Sequence, residues 1–419
     1  MHYTTMLKKV ICLDLEYCII YNANTHINWS NQMNCKMLFK LFKKVEISCG
    51  LLLMTFIFPS IVHSNSQFCS SKPLLETLKM HGGIDYLHCF PEEPFEFTKL
   101  SVVDDHYLHP YKGVFENTYI LTIPQGEVFG KDGWVLINDT LINELIWQNV
   151  FPSKQALQKA KENKTVSIPG RVAVIAQSGY TYYYHWIAEV LGRLALLEMR
   201  AIDYDFLYVP LGRPFMKETL QLFGVDPSKI IEASDDLVFT ADQLIVPSLV
   251  ARVRTEGCPR LVHYLPKHIL FYIKNKLLSA VEKEPQEHSF CKKVFLSRKD
   301  AVARKMLNED DVFALFEAQG FKRYVLSEMS IVDQILLFKN AEIIVGALGS
   351  NLTNVIFCNS KVRIFDIFQA RRDCTINYLC QNLGLSYQCV KTTDFIDQND
   401  GQFDTVVPLD IIKNLISDL

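Results

Sequence analysis

From about residue 170 onward the chain alternates short apolar runs with amphipathic stretches, and this alternation leaves few folds open. Parallel strands covered on both faces read as continuous apolar runs, and each crossover between them calls for a helix. RVAVIAQ reads as a strand, YYYHWIAEVLGRLALLEM as a helix, FLYVP as a strand, PFMKETLQLF as a helix, and KIIEA and QLIVPS as further strands. The helix LPKHILFYIKNKLLSAVEK closes this half, and the polar stretch after it, with Pro285, is the best place for a linker. The second half repeats the pattern, with KKVFLS, KRYVLS, EIIV, VRIFDIF and YQCV as strands and NEDDVFALFEAQG, SIVDQILLFKN, NLTNVIF and CTINYLCQNLG as helices. Asn308, with Glu309, Asp310 and Asp311 behind it, marks a helix start, and Ser330 with Asp333 resembles a capping box. The expectation is an α/β fold with a doubly wound, Rossmann-like C-terminal domain that binds ligands beyond the carboxyl ends of its strands.

A length of 419 residues exceeds what one core usually fills. Two domains, 65–285 and 286–419, are expected after an extension of residues 1–64. Charged residues make up 21% and apolar residues 49%, with a net charge of -3, so neither disorder nor a nucleic-acid surface is indicated. Residues 65–169 show short β-like runs, SVVDDHY, TYILTI and GWVLIND, and few helical signals. In the extension, residues 1–36 lack a pattern. Lys40, Lys43 and Lys44 then precede an apolar run over 47–62 and Ser64, the order of a signal peptide or short anchor. Pro59 interrupts this run, which is also short of the roughly 20 residues that span a bilayer. The alternatives are an apolar helix packed on the domain, and a start at Met37. A used signal implies a membrane-associated or Golgi-type lumenal protein, and an unused one a cytoplasmic protein.

Twelve cysteines without a CxxC pair argue against a zinc ribbon or a thioredoxin-like site. They fit small buried apolar residues, with Cys69–Cys89 and two of Cys374, Cys380 and Cys389 as pairing options in an oxidising compartment. Asn138-Asp-Thr140 and Asn163-Lys-Thr165 are acceptor sequons only on a secretory route.

Three loops after strands carry chemistry. VGALGSNLTN (345–354) sets Gly346 and Gly349 between a buried strand and a helix, where backbone amides meet a phosphate or the chain merely turns tightly. No GxGxxG or GxxxxGK[ST] is present. Arg298 and Arg304, in FLSRKDAVARK, suit either a diphosphate clamp or a solvated basic turn. Asp366, in VRIFDIF, suits either a ribose hydroxyl or an ion pair with Arg371 or Arg372. In the first half, His185 and Glu189 share a helix face, either as a general base backed by a carboxylate or as a structural pair, with Arg193 next in the row. No metal motif is identified. Asp203-Tyr-Asp205 precedes its strand, and Asp104, Asp105, His106 and His109 lack specific spacing.

The segments YYYHWIAEVLGRL, VFLSRKDAVARKMLNEDDVFALFEAQGF, LSEMSIVDQILLFKNAEIIVGALGSNLTNVIF and VRIFDIF, in this order from about Val172 to Phe368, resemble glycosyltransferase family 61. The resemblance implies a GT-B-like architecture of two Rossmann-like domains facing a cleft. It also implies inverting transfer of a hexosyl or pentosyl group from a nucleotide sugar to a glycan or protein-linked hydroxyl, with the nucleotide sugar a substrate and no cofactor. Carried over, His185 and Glu189 are catalytic, and Arg298, Arg304, Asn308, Glu309, Gly346, Gly349, Ser350, Asn351, Asn354 and Asp366 bind the donor. The loop departs from the family's G-x-H-G-A-x-L-x-N by having Leu348 for histidine and Ser350 for alanine, and Asp366 stands for glutamate. Leucine neither donates a hydrogen bond nor carries a proton, so a non-catalytic glycan- or nucleotide-binding protein of the same fold is the rival expectation.

Overall fold

The computed structural model describes residues 18–22, 25–29, 70–98, 112–255, 263–284, 289–302, 304–368, 374–391, 404–417 and 419. The chain divides into two compact units, residues 1–67 and 68–419. Of the first, an antiparallel hairpin is described, Cys18–Asn22 with Thr25–Trp29, which the patternless sequence there did not announce. The signal-like segment 47–62 lies outside the described residues. No helix among the described residues is long and apolar enough to cross a membrane.

In the larger unit, the first apolar runs form parallel strands β1 (Val166–Val174), β2 (Phe206–Val209), β3 (Ile230–Glu232) and β4 (Val238–Pro247). Their order is β3-β2-β1-β4, so the direction of winding reverses between β1 and β4. Strand β4 is long enough for Glu127–Phe129 to pair antiparallel with its start and Thr118–Pro124 with its end. The runs TYILTI and GWVLIND are thus antiparallel strands that extend this sheet to ten strands, and SVVDDHY lies outside the described residues.

All five strands expected in the second half are present: β5 (Lys293–Leu296), β6 (Lys322–Tyr324), β7 (Ile343–Ala347), β8 (Arg363–Phe368) and β9 (Ser386–Lys391). They are parallel and ordered β6-β5-β7-β8-β9, the flavodoxin-like arrangement, with its switch point between β5 and β7. The sequence NLTNVIF winds more tightly than an α-helix, as part of a 3-10 helix over Ser350–Phe357. Its first turn closes from Leu352 N–H to Gly349 O at three-residue spacing, and Asn351 Oδ1 accepts from the same N–H.

Helix α1 runs through Tyr183–His185, a π turn at Trp186–Val190, and Leu191–Met199. It is followed by α2 (Pro214–Phe223) and α3 (Lys267–Val281). Helices α4 (Glu309–Glu317) and α5 (Ile331–Asn340) belong to the second half. The expected Ser330 cap is in place: its Oγ accepts from Asp333 N–H at 3.1 Å. Asn308 makes no capping bond, because its amide is taken up by the backbone of Val407, with Nδ2 donating to the carbonyl and Oδ1 accepting from N–H.

Of the expected linker, 282–288, residues 285–288 lie outside the described residues, and the two sheets are joined through one apolar core. Ile269, Ile273 and Leu277 of α3 are buried in a cluster that also holds Leu194 and Leu197 of α1, Phe223 of α2, and Ile335 and Phe338 of α5. Polar links cross the same boundary: Tyr183 Oη donates to Asn354 Oδ1 at 2.6 Å, and Ile331 N–H donates to Glu218 Oε2 at 2.7 Å. Among the described residues Cys89, Cys380 and Cys389 are free thiols, so the pairing options in the C-terminal half, each of which needs Cys380 or Cys389, are not used, and Cys69 is not described.

A core shared between two sheets makes their stabilities interdependent. Ile273→Ala is expected to cost about 2–5 kcal/mol. Native-state hydrogen exchange should then speed up in α1 and α5 together, whereas loss of protection in α1 alone would show that the halves are energetically separate.

Candidate functional site

The reversal of winding in the first sheet opens between the carboxyl ends of β1 and β4, and Arg193 closes the floor of that gap. Its Nη1 donates to Ala176 O, beyond β1, at 2.7 Å, and its Nε and Nη2 donate to Pro247 O, at the end of β4. Burial pushes this guanidinium down to about 9. Arg193 thus ties strands together rather than extending the His185–Glu189 row.

Above it, the π turn presents Glu189, which is 2% exposed and accepts four hydrogen bonds. His185 Nδ1 reaches Oε1 at 2.7 Å and His263 Nδ1 reaches the same oxygen at 2.9 Å. Trp147 Nε1 and Gln177 Nε2 donate to Oε2 at 2.5 and 2.7 Å. Burial by itself would raise the Glu189 carboxyl, but the hydrogen bonds and charges of the two histidines outweigh it and hold the group well below the usual carboxylate range. The pair His185–Glu189 therefore exists as the sequence suggested, inside a larger constellation. The ligand atoms of His185, Glu189 and His263 lie within 4.8 Å of one another, a grouping that no sequence spacing revealed.

Loop geometry delivers the added members. Gln148 and Asn149 have φ of 49° and 57°, a left-handed pair that turns the chain directly after Trp147. The indole then lies on Gly179, where a Cβ would fall 2.6 Å from Cζ2. Gln177 ends the run RVAVIAQ and lies three residues past the end of β1, so the rule that sites lie beyond strand ends points to it. His263 and Trp147 carried no local signal.

The switch point of the second sheet gathers the expected donor residues. Arg298, just past β5, is buried, and its guanidinium lies on Gly349, just past β7, where a Cβ would stand 1.7 Å from Nη1. Glycine there serves close approach, in extended backbone. Arg298 Nε donates to Arg304 O at 3.0 Å, and Arg304 adopts φ 59°. Burial pushes the Arg298 guanidinium down, opposed by the charges of Asp300, Asp366 and Glu309. Glu309, at the start of α4, accepts from Ser297 Oγ at 2.6 Å and Arg298 N–H at 2.7 Å, so it fixes the loop. Gly346 packs against Leu296 of the neighbouring strand, and Ser350 and Asn351 open the 3-10 helix.

Two further residues expected at the donor have their side chains engaged by the protein. Asn354 is fully buried, accepting from Tyr183 and donating through Nδ2 to Gln334 Oε1 at 3.0 Å, so it joins the halves. The amide of Asn308 serves Val407. Asp366 is buried on β8 and accepts from Tyr387 Oη at 2.8 Å, while Arg371 and Arg372 lie outside the described residues. Asp205 receives Arg171 N–H at 2.8 Å beside β1, as befits a loop feature, and residues 104–109 are not described. Leu348 is 5% exposed, its side chain in the shared apolar core.

Two outcomes follow. Because the folded Glu189 carboxyl lies below its unfolded value, its contribution to stability is complete above about pH 4–5 and is lost as acid titrates it toward the folded value. Glu189→Gln is expected to cost on the order of 3 kcal/mol at neutral pH. Denaturant melts should show the gap to wild type narrowing below pH about 4; a constant gap would refute this account. Leu348→His places an imidazole in an apolar core and should lower stability by about 1–3 kcal/mol, read by thermal melting.

The family model described as Glycosyltransferase 61 matches residues 183–365, from Tyr183 beside the carboxylate cluster to the middle of β8. Comparison with curated proteins returned no match. That segment, 183–365, is what this chain shares with glycosyltransferase family 61.

Proposed function

We propose that the protein is an inverting glycosyltransferase that moves a sugar from a nucleotide-sugar donor to a hydroxyl of a glycan or protein-linked acceptor. The observation that carries this reading is the switch point of the second sheet, where Arg298 lies on Gly349 and Glu309 holds the preceding backbone. A preset guanidinium beside a glycine loop offsets the charge that grows on a leaving diphosphate, and such oriented donors usually supply the largest catalytic contribution. On the acceptor side, His185 Nδ1–H is held by Glu189, which leaves Nε2 to take the hydroxyl proton and the carboxylate to stabilise the imidazolium. Residues 65–285 then form the acceptor side and 286–419 the donor side of a GT-B-like pair. The segment 47–62 supplies membrane association or secretory entry.

A second reading, a nucleotide- or glycan-binding protein without turnover, is favoured by Leu348, which faces the core where the family has histidine. One set of measurements separates the two. A nucleoside diphosphate at a hundred times its dissociation constant stabilises the fold by about 2.7 kcal/mol, and Arg298→Ala should abolish the thermal shift. Product formation from the matching nucleotide sugar, lowered about 100- to 10,000-fold in His185→Ala, supports the transferase. A nucleotide shift without turnover supports the binding protein, and no shift with any nucleotide removes both.

A further inference from the structure

Among the described residues, a single group of histidine, cysteine and carboxylate side chains converges closely enough to share an ion: His185, Glu189 and His263. We infer that these three side chains form a binding site for a zinc-class divalent cation, open to solvent on one side. With Nδ1 coordinated, His185 keeps its proton on Nε2 and is not the base of the transferase reading, so the ion-bound and base-competent states exclude each other; cation binding is read without turnover and is tested apart from that reading.

Donor type sets the metal. Two imidazole nitrogens and one carboxylate oxygen suit zinc, cobalt, nickel or copper, whereas magnesium and calcium favour oxygen ligands throughout. Spacing is within reach: both Nδ1 atoms lie 2.7 and 2.9 Å from one carboxylate oxygen and all three ligand atoms lie within 4.8 Å of one another, so side-chain adjustments of roughly 0.5–1 Å reach the ~3.3–3.6 Å that separates tetrahedral ligands at bonds of about 2.0–2.2 Å. The cation takes the place of the two Nδ1 protons.

The surroundings supply what such ligands need. Trp147 and Gln177 donate to Glu189 Oε2, which fixes the carboxylate while Oε1 is committed to the ion. His263 Nε2 faces the side-chain amide of Gln148, whose oxygen, after a flip of the amide, accepts from Nε2–H once Nδ1 is coordinated. Gln177 Oε1 is buried without a hydrogen-bond partner, an acceptor ready for a water carried by the cation. The histidine side chains are 17% and 20% exposed, so three protein ligands leave a position that water can reach, as in catalytic rather than structural zinc sites.

The test is titration of the full chain with Co2+, followed by its visible absorption. The expected result is one saturable ion per chain, displaced by Zn2+ and not by Mg2+. His263→Gln and, independently, His185→Gln should each weaken uptake by more than about tenfold, with circular dichroism reporting whether each variant is folded. Absence of saturable uptake by the wild type overturns the inference, as does undiminished uptake in either folded variant. In both cases the cluster is a hydrogen-bonded network alone, and the nucleotide thermal shift is unaffected by that result.

Discussion

The buried carboxylate of Glu189 is the point on which the first half of the molecule turns. A charge taken out of water is tolerable only when its lone pairs are met, and four donors from four separate stretches of chain meet them: His185, His263, Trp147 and Gln177. Each donor fixes a piece of backbone that otherwise has little reason to be where it is. The left-handed pair after Trp147, the glycine under its indole and the π turn of α1 are local departures from regular structure that converge on this one group.

The second half solves a related problem with an arginine. Its switch point places two loops side by side, and the Arg298 guanidinium fills the space that glycine at 349 leaves open. Glu309 accepts from Ser297 and from the Arg298 backbone, so the loop is anchored from the following helix rather than from a ligand. The two clusters are mechanically connected. Tyr183, two residues before His185, donates to Asn354, five residues after Gly349, and both lie over the core that α3 shares between the sheets. A ligand spanning the halves would therefore meet groups whose relative positions are already set, which is how binding avoids much of its ordering cost.

Much of this was legible in the chain. Apolar runs of strand length separated by amphipathic stretches specify parallel strands with helical crossovers, because no other arrangement covers both faces of such strands. All five strands of the second sheet fell where that pattern put them, and so did the Ser330 cap. His185 and Glu189 were visible as a pair because a helix brings residues four apart onto one face, and Arg298 and Gly349 because both follow strands. Asn308 and Asn354, expected at the donor, have their amides engaged inside the fold, which the sequence did not announce for a definite reason. An amide side chain hydrogen-bonds equally well to a substrate or to distant backbone, and only the position of Val407, Tyr183 and Gln334 decides between them.

The sequence by itself determined the α/β class, the strands and helices, and the loops that carry charge and glycine, since each of these depends on interactions within a turn or two of chain. Tertiary structure decided the rest. It set the order of strands that makes 298 and 349 neighbours, the inward turn of Leu348, and the arrival of His263 and Trp147 at Glu189 from segments far away in the chain. Those outcomes rest on burial and on satisfying a buried charge, and these are properties of the packed molecule that no local pattern encodes.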